Sequence, residues 1–466
     1  MNSSTTPPRG PTETLCAFVL DGRYEDFPAA VVKEAKRHIL DVFGAMLGGI
    51  DEPASKIATE FARQSGGTEE AGVVGAGFRS SVVNAAFVNG ISGHALEIEA
   101  VGRAPGSDTL TLVAAALSLA EKYKLSGKQV IEYVVLAEEF QGRLGLAAPG
   151  GSGRGHCGLN LYAPPAIAAA CGRVMGMDLM QTRMAVGLAL SRASGYYRHT
   201  GTMAHTHESG LACRGGIEAA MLAASGMTAD ASLLEGKGGF VDLMCAWDRG
   251  SDLNVATANL GDPYYLVSPG LSVKKYGCCF LAHRPMDALM HLMAQHKLRE
   301  SDVAAVTVDV NPLTARIMKC ADPQDGDQAK FSMEHALAAV LVDGKVEMPY
   351  VLPFCDAGAR DPRYVRARKL VEMVVRDDLP PGLATGSAPP VTVHLKSGAT
   401  LTETAVGLFR GSPENPLDDD ELLDRYRTCA AHTLSPAAVE RTSDILLNLE
   451  QCSDLTELMR IGTFGR

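Results

Sequence analysis

The strongest constraint on the fold is a run of helical patterns built from small residues, extending from Phe27 to about Met227. Val32, Ala35, Ile39, Phe43 and Met46 recur at helical spacing, as do Val130, Ile131, Val134 and Val135. Segments 109–124, 161–176, 180–195 and 211–226 are rich in Ala and Gly with few β-branched residues. Small side chains let helix axes approach closely, so this stretch predicts a compact helical domain. Gly and Pro clusters at Gly48-Gly49, Pro105-Gly106, Gly150-Gly151-Ser152-Gly153 and Gly238-Gly239 mark the joints.

The pattern changes near Pro269-Gly270. Val303 to Val310 and Val391 to Leu395 alternate like half-buried strands, with helical patterns at 331–343 and 361–375 between them. Leu422 to Leu449 returns to helical spacing. The expected fold is mostly α, with a large all-helical domain from residues 1–268 and 411–466 and a smaller α+β domain from 269–410.

Composition narrows the class. The net charge is −11, and Lys and Arg are scattered with no basic run or interleaved aromatics, which argues against a nucleic-acid partner. No apolar run reaches membrane-span length, so no membrane partner is expected. The polar start, Met1 to Thr12, resembles neither a secretory signal nor a transit peptide. Eleven cysteines, an odd number with no C-x-x-C pair, read as free thiols in a reducing, cytoplasmic compartment.

Four segments carry candidate chemistry. In Asn89 to Glu99, His94 stands close to Glu97 and Glu99, and an imidazole beside carboxylates titrates near neutrality and can exchange protons. The same residues also suit a capped helix end with surface acids. Arg154 and His156 lie in a glycine-rich stretch leading into a helix, where backbone N–H groups can hold an anion, although the spacing is not that of a nucleotide P-loop. His205, His207 and Glu208 fall in a polar stretch, 200–210, that reads as a loop. Their spacing is not that of a zincin and supplies no fixed third ligand, so no metal is expected. Lys274, Lys275 and Tyr276 precede Cys278-Cys279 at the domain joint, where a partly desolvated lysine can act as acid or base.

Taken in order, these segments resemble the MmgE/PrpD family, whose members include 2-methylcitrate dehydratase, cis-aconitate decarboxylase and iminodisuccinate epimerase. The resemblance rests on Asn89-Gly90 with His94-Ala95-Leu96, on Gly155-His156, on Gly210-Leu211-Ala212 with Arg214-Gly215-Gly216, and on Leu234-Glu235-Gly236 with Gly239-Phe240. Lys274, Tyr276, Cys278 and Cys279, then Ala329-Lys330-Phe331-Ser332, complete it. It implies a homodimer with its site between the domains, a small di- or tricarboxylate substrate, no cofactor, and His156 and Lys274 as catalytic residues. Departures occur as well: the family's last motif aspartate is replaced by Ala100 and the histidine of H-P-G by Ala104. His205 stands where lysine is common, His335 where the decarboxylases resemble a tyrosine pattern, and Cys279 where they carry histidine.

The expected activity is therefore that of a cofactor-independent lyase, dehydrating or decarboxylating a citrate-like or aconitate-like acid. His156 and Lys274 would move protons, and His94, Glu97, Glu99, Arg103, Arg154, His205, His207, Tyr276, Cys279 and His335 would bind substrate. A two-base epimerase of a dicarboxylate and a non-catalytic carboxylate-binding protein are the alternatives.

Overall fold

The computed structural model describes residues 9–102, 104, 106–245, 250–344, 349–379, 389–404 and 410–465. It is mostly α with a smaller α+β part. Helices α1 (Pro11–Asp21), α2 (Ala29–Gly49), α3 (Pro53–Ser65), α4 (Val82–His94), α5 (Leu110–Tyr123), α6 (Gly127–Ala147), α7 (Gly150–Arg154), α8 (Leu159–Val174), α9 (Leu179–Leu190) and α10 (Met203–Ala224) come first. Then follow α11 (His283–His296), α12 (Met333–Asp343), α13 (Pro362–Arg368), α14 (Asp419–Ala430), α15 (Pro436–Leu447) and α16 (Thr456–Phe464). Side-chain caps fix several starts, including capping boxes Ser126/Gln129 on α6, Asp178/Gln181 on α9 and Asp418/Glu421 on α14.

One hydrophobic core joins residues between Leu15 and Val273 to residues between Leu417 and Met459, so the end of the chain packs onto its beginning. A second core runs from Tyr276 to Val393 around a four-stranded sheet. The strands are β1 (Ala71–Val73), β2 (Phe78–Ser80), β3 (Val101–Gly102), β4 (Leu271–Ser272), β5 (Val303–Val310), β6 (Val371–Val375), β7 (Val391–Leu395) and β8 (Thr400–Glu403). In the larger sheet the order is β6-β5-β7-β8, with β5 parallel to β6 and antiparallel to β7. The alternation in β5 buries Val306, Val308 and Val310, as period-two patterning requires, and a register shift between Val303 and Ala305 lets Val303 face inward as well.

Two expectations are corrected. The 200–210 stretch is not a loop throughout: α10 starts at Met203, so His205, His207 and Glu208 are helical. The helical pattern at 361–375 ends at Arg368, and Val371–Val375 is a strand because it pairs in parallel with β5. Its valines fit that half-buried surface better than a helix.

Helix α4 lies at the centre of the larger core, with Asn84 to His94 all buried. Asn89 replaces missing backbone partners there: its Oδ1 accepts from Val74 N (2.9 Å), and its Nδ2 donates to Gly72 O (3.2 Å) and Ser118 Oγ (3.1 Å). Two glycines let α4 and α10 cross at close range. A Cβ on Gly90 would fall 3.0 Å from Ser209 O, and one on Gly210 would fall 2.6 Å from Phe87 O, a backbone atom with little room to yield. This approach brings Ser209 Oγ within 2.7 Å of His94 Nδ1. Gly210→Ala is expected to cost about 1–3 kcal/mol by overpacking, read as a lowered urea midpoint.

Candidate active site

The β3–β4 pairing builds the site. It sets Val101 opposite Ser272 and Gly102 opposite Leu271, and carrying that antiparallel register two residues further brings Glu99 opposite Lys274. Lys274 Nζ donates to Glu97 Oε1 at 2.8 Å and to Glu99 Oε1. All three side chains are buried. Glu97 has a φ of 55°, uncommon for a residue with a side chain, in the tight turn closed by Glu97 N donating to His94 O. His94 Nε2 stands 3.2 Å from Glu97 Oε2 and 3.6 Å from Glu99 Oε1, within range for charge pairing but off the line of a hydrogen bond. His205, on the first turn of α10, places Nε2 3.8 Å from Glu97 Oε2, and its ring lies 4.8 Å from that of His94.

Arg425 of α14 holds this arrangement from behind. It is 1% exposed and donates to Asp41 Oδ1 (2.6 Å), to Ile98 O (2.5 Å) and to Lys274 O. The two backbone segments that carry the charged cluster are thereby fixed to one guanidinium.

Burial and charge oppose each other in this cluster. Burial lowers the pKa of Lys274, but Glu97 and Glu99 outweigh it and leave the ammonium more firmly protonated than usual. Burial also pulls His94 down, and the same carboxylates reverse it, so its pKa is raised. Burial would raise Glu97, yet Lys274 and His94 hold it well below the usual carboxylate range. Glu99 is raised, by burial first and by the charge of Glu97 second. His205 falls to about 3 through burial and the neighbouring His94, so it is a neutral imidazole at pH 7.

These groups face a cavity of about 780 Å³, counted with the open solvent at its mouth. Asp108, Ser107, Tyr197 and Thr200 add polar lining, and Val101, Leu159, Phe280, Leu281, Ile317 and Phe331 form apolar walls. Asp108 accepts from Thr111 N and from Gln141 Nε2, and burial raises its pKa to about 6. Cys157, Gly158 and Leu159 bring the N-terminus of α8 to the wall, with its positive end of the helix dipole.

Of the residues expected from the sequence, His94, Glu97, Glu99, His205, Lys274 and Cys279 line this cavity. The Cys279 thiol is pushed up to about 12 by burial, so it is not a thiolate. His156 is half-buried on the loop before α8. It is not among the described lining residues, its Nδ1 lies 3.2 Å from Gly195 O, and its ring stacks on Tyr196. Arg154 is exposed, and Arg103 lies outside the described residues. His207 faces a separate hollow with Phe61, Phe87 and Met203. Tyr276 is buried, donating to Asp287, and His335 is buried with Nε2 2.7 Å from Pro353 O, so both serve the second core. Asp108, Tyr197, Thr200 and Arg425 were not singled out from the sequence. Asp108 alone carried a local signal, as an acid just before a helix with Thr three residues on.

Among the described residues, two groups bring potential metal ligands within 4.8 Å of one another: His94, Glu97 and His205, and Cys157, His205 and Glu208. In the first, the Lys274 ammonium already occupies the other oxygen of Glu97 and would repel a dication.

The shift of His205 has a consequence for stability. With a folded pKa of about 3 against 6.5 unfolded, its neutral form contributes stability above pH 6.5 that is lost as pH falls towards 3. His205→Asn is expected to make the loss of urea stability between pH 6.5 and 4.5 shallower by up to one proton, ~1.4 kcal/mol per pH unit; an unchanged slope would place a charged imidazole there instead.

Comparison with known proteins agrees with this architecture. Residues 13–250 match the model of the MmgE/PrpD N-terminal domain, and residues 276–451 match that of the MmgE/PrpD C-terminal domain. Cis-aconitate decarboxylase from Aspergillus terreus is 25% identical over 477 residues, covering 97% of this chain and 96% of the relative. Cis-aconitate decarboxylase from Homo sapiens is 26% identical over 448 residues, covering 92% and 90%, and that from Mus musculus is 23% identical over 471 residues, covering 96% and 93%. With both domain models matched in order over most of its length, the chain belongs to the MmgE/PrpD family.

Proposed function

We propose that the protein is a cofactor-independent lyase that removes water from a citrate-like, or CO₂ from an aconitate-like, small polycarboxylate by acid–base chemistry at a carbon next to a carboxylate. The observation that carries this reading is the buried Lys274 ammonium shared by Glu97 and Glu99, with His94 beside them, at the wall of a cavity that also receives the N-terminus of α8. The full-length similarity to decarboxylases of cis-aconitate supports the same reaction class.

The chemistry needs a group to take or give a proton at carbon and fixed positive charge where electrons collect. In dehydration, a base takes the proton, the electron pair spreads into the adjacent carboxylate, and the departing hydroxide receives a proton. In decarboxylation, the C–C electron pair stays on carbon as CO₂ leaves and is then protonated there. Lys274 is the catalytic electrostatic stabiliser, and its immobile charge in a low-dielectric site needs no reorganisation during reaction. His156 is the partner in proton transfer. Its loop adjoins the wall at Cys157, so this role requires the imidazole to leave Gly195 O and turn into the cavity. His94, held through Nδ1 by Ser209, keeps the cluster correctly charged. The protein acts as a cytoplasmic homodimer.

Lys274→Met and His156→Ala are each expected to lower turnover by at least about 10²-fold, the lower range for a positioned acid or base, with the fold retained by circular dichroism. Full activity in His156→Ala would remove that residue from the mechanism and leave His94 as the proton carrier. Following the reaction by NMR in D₂O separates the classes: loss of water or CO₂ supports a lyase, whereas deuterium exchange with inversion and no loss of either identifies an epimerase. Exhaustive EDTA treatment is expected to leave the rate unchanged, and inactivation reversed by a divalent metal would assign His94, Glu97 and His205 as ligands.

A further inference from the structure

We propose that Cys157, His205 and Glu208 form a zinc site beside the reaction cavity, and that filling it inhibits turnover by fixing the loop that carries His156. The inhibition rests on the reading of His156 as the partner in proton transfer; the metal site does not.

Three segments of chain meet at this point. His205 and Glu208 are three residues apart on α10, so they share one face of the helix. Cys157 comes from the loop before α8, and Gly195 and Tyr196 close the third side. Gly195, at a φ of 107°, allows the approach: a Cβ on it would fall 3.0 Å from Glu208 Oε2 and 3.2 Å from Cys157 Cβ. One ligand atom from each of the three side chains lies within 4.8 Å of the others. Cys157, His205 and Glu208 are 1%, 6% and 4% exposed.

The protein leaves part of this cluster unsatisfied. Glu208 Oε1 accepts from Tyr196 N at 2.8 Å, but among the described residues Glu208 Oε2 and His205 Nδ1 have no hydrogen-bond partner. A buried polar atom left unpaired is unfavourable, and a metal bond would offset that penalty. Burial, then the neighbouring Glu208, keeps the Cys157 thiol protonated. Sulfur, imidazole and carboxylate together suit zinc, whereas magnesium and calcium favour oxygen alone. On binding, the thiol proton leaves to solvent, and the thiolate and Glu208 carboxylate balance the dication. Zinc bonds of about 2.0–2.3 Å require the trio to contract by about 1 Å. Gly155 and Gly158, on either side of Cys157, give the loop that freedom. Cys157 and His205 both line the cavity, which supplies the ion's path and a water for the fourth position.

Inhibition follows from the neighbour of Cys157. His156 must leave Gly195 O and turn before it can serve the cavity. A metal bond from Cys157 to α10 ties that short loop to a long helix and holds the imidazole where it is.

The test uses the whole protein with zinc chloride and cobalt chloride as probes. Calorimetry is expected to show one equivalent of zinc bound, and cobalt to give the near-ultraviolet charge-transfer band of a thiolate ligand. Cys157→Ser should remove the band and weaken zinc binding at least about 100-fold, more than the loss of an outer-shell partner. Glu208→Gln should weaken binding while keeping the band, and serves if the first variant does not fold. No stoichiometric zinc, or a band that persists in Cys157→Ser, overturns the site; a metal on His94, Glu97 and His205 would give no thiolate band at all. Zinc is expected to bring turnover down towards that of His156→Ala, with EDTA restoring it, and turnover that is intact at full zinc occupancy overturns the inhibitory role. Zinc binding by a protein that converts no polycarboxylate would leave the metal site standing and count against the lyase reading. Turnover without zinc binding would do the opposite.

Discussion

The Arg425 guanidinium is the contact on which the site depends. It joins four pieces of chain distant in sequence: Asp41 on α2, the carbonyl of Ile98 after α4, the carbonyl of Lys274 after β4, and its own helix α14 near the end. A buried ion pair does not guarantee stability, because desolvation can consume the Coulombic gain. Here the guanidinium is also satisfied by two carbonyls that regular secondary structure leaves unpaired. Removing either partner would strand a charge in a core where Arg425 and Asp41 are 1% and 3% exposed. That geometry gives a physical reason for the end of the chain to return to the first helical layer: α14 supplies the guanidinium that ties the backbone at Ile98 to the backbone at Lys274.

A second constraint acts from the other side. The α4–α10 crossing at Gly90 and Gly210 sets Ser209 against His94, while β3 and β4 set Glu99 against Lys274. The small lobe contributes through Lys330, whose ammonium donates to Ala95 O at 2.6 Å, just past the end of α4. Helix crossing, strand register and lobe contact therefore converge on one turn, residues 94–99. A backbone as constrained as Glu97 at positive φ is tolerated where neighbours on every side fix it.

Much of this was legible in the sequence, for reasons that particular residues show. The valines of β5 alternate because one face of that strand is buried, and the small residues of α4 and α10 record a close helix crossing. The start of α10 was hidden because Thr202 makes no side-chain cap and the polar His205, Thr206, Glu208 and Ser209 are buried. An inward-facing polar helix has no amphipathic signature. Strand β6 was hidden because Val371–Val375 is short and its state is decided by pairing with β5, whose partner residues stand 65 positions earlier. In the site, His94, Glu97, Glu99 and Lys274 announce themselves as charged residues in glycine-punctuated segments. Arg425 does not: in α14 it is one basic residue among Asp424, Arg427 and their neighbours, and only the tertiary fold distinguishes it.

The charge count of the cluster decides which of its groups hold protons. Each carboxylate beside Lys274 stabilises the charged form of the lysine, so the ammonium stays protonated. The two carboxylates differ: Lys274 and His94 hold Glu97 down, while burial and the charge of Glu97 push Glu99 up. His94, raised by the same pair, completes a set in which the protons belong to the group as a whole. An anion approaching Lys274 adds negative charge and so raises the proton affinity of Glu99 and His94 further. The charge of such an anion and the protonation of the cluster are thus linked through contacts of 3.6 Å or less, and the buried ammonium, held by Arg425 through its own backbone carbonyl, is the fixed point of the cluster.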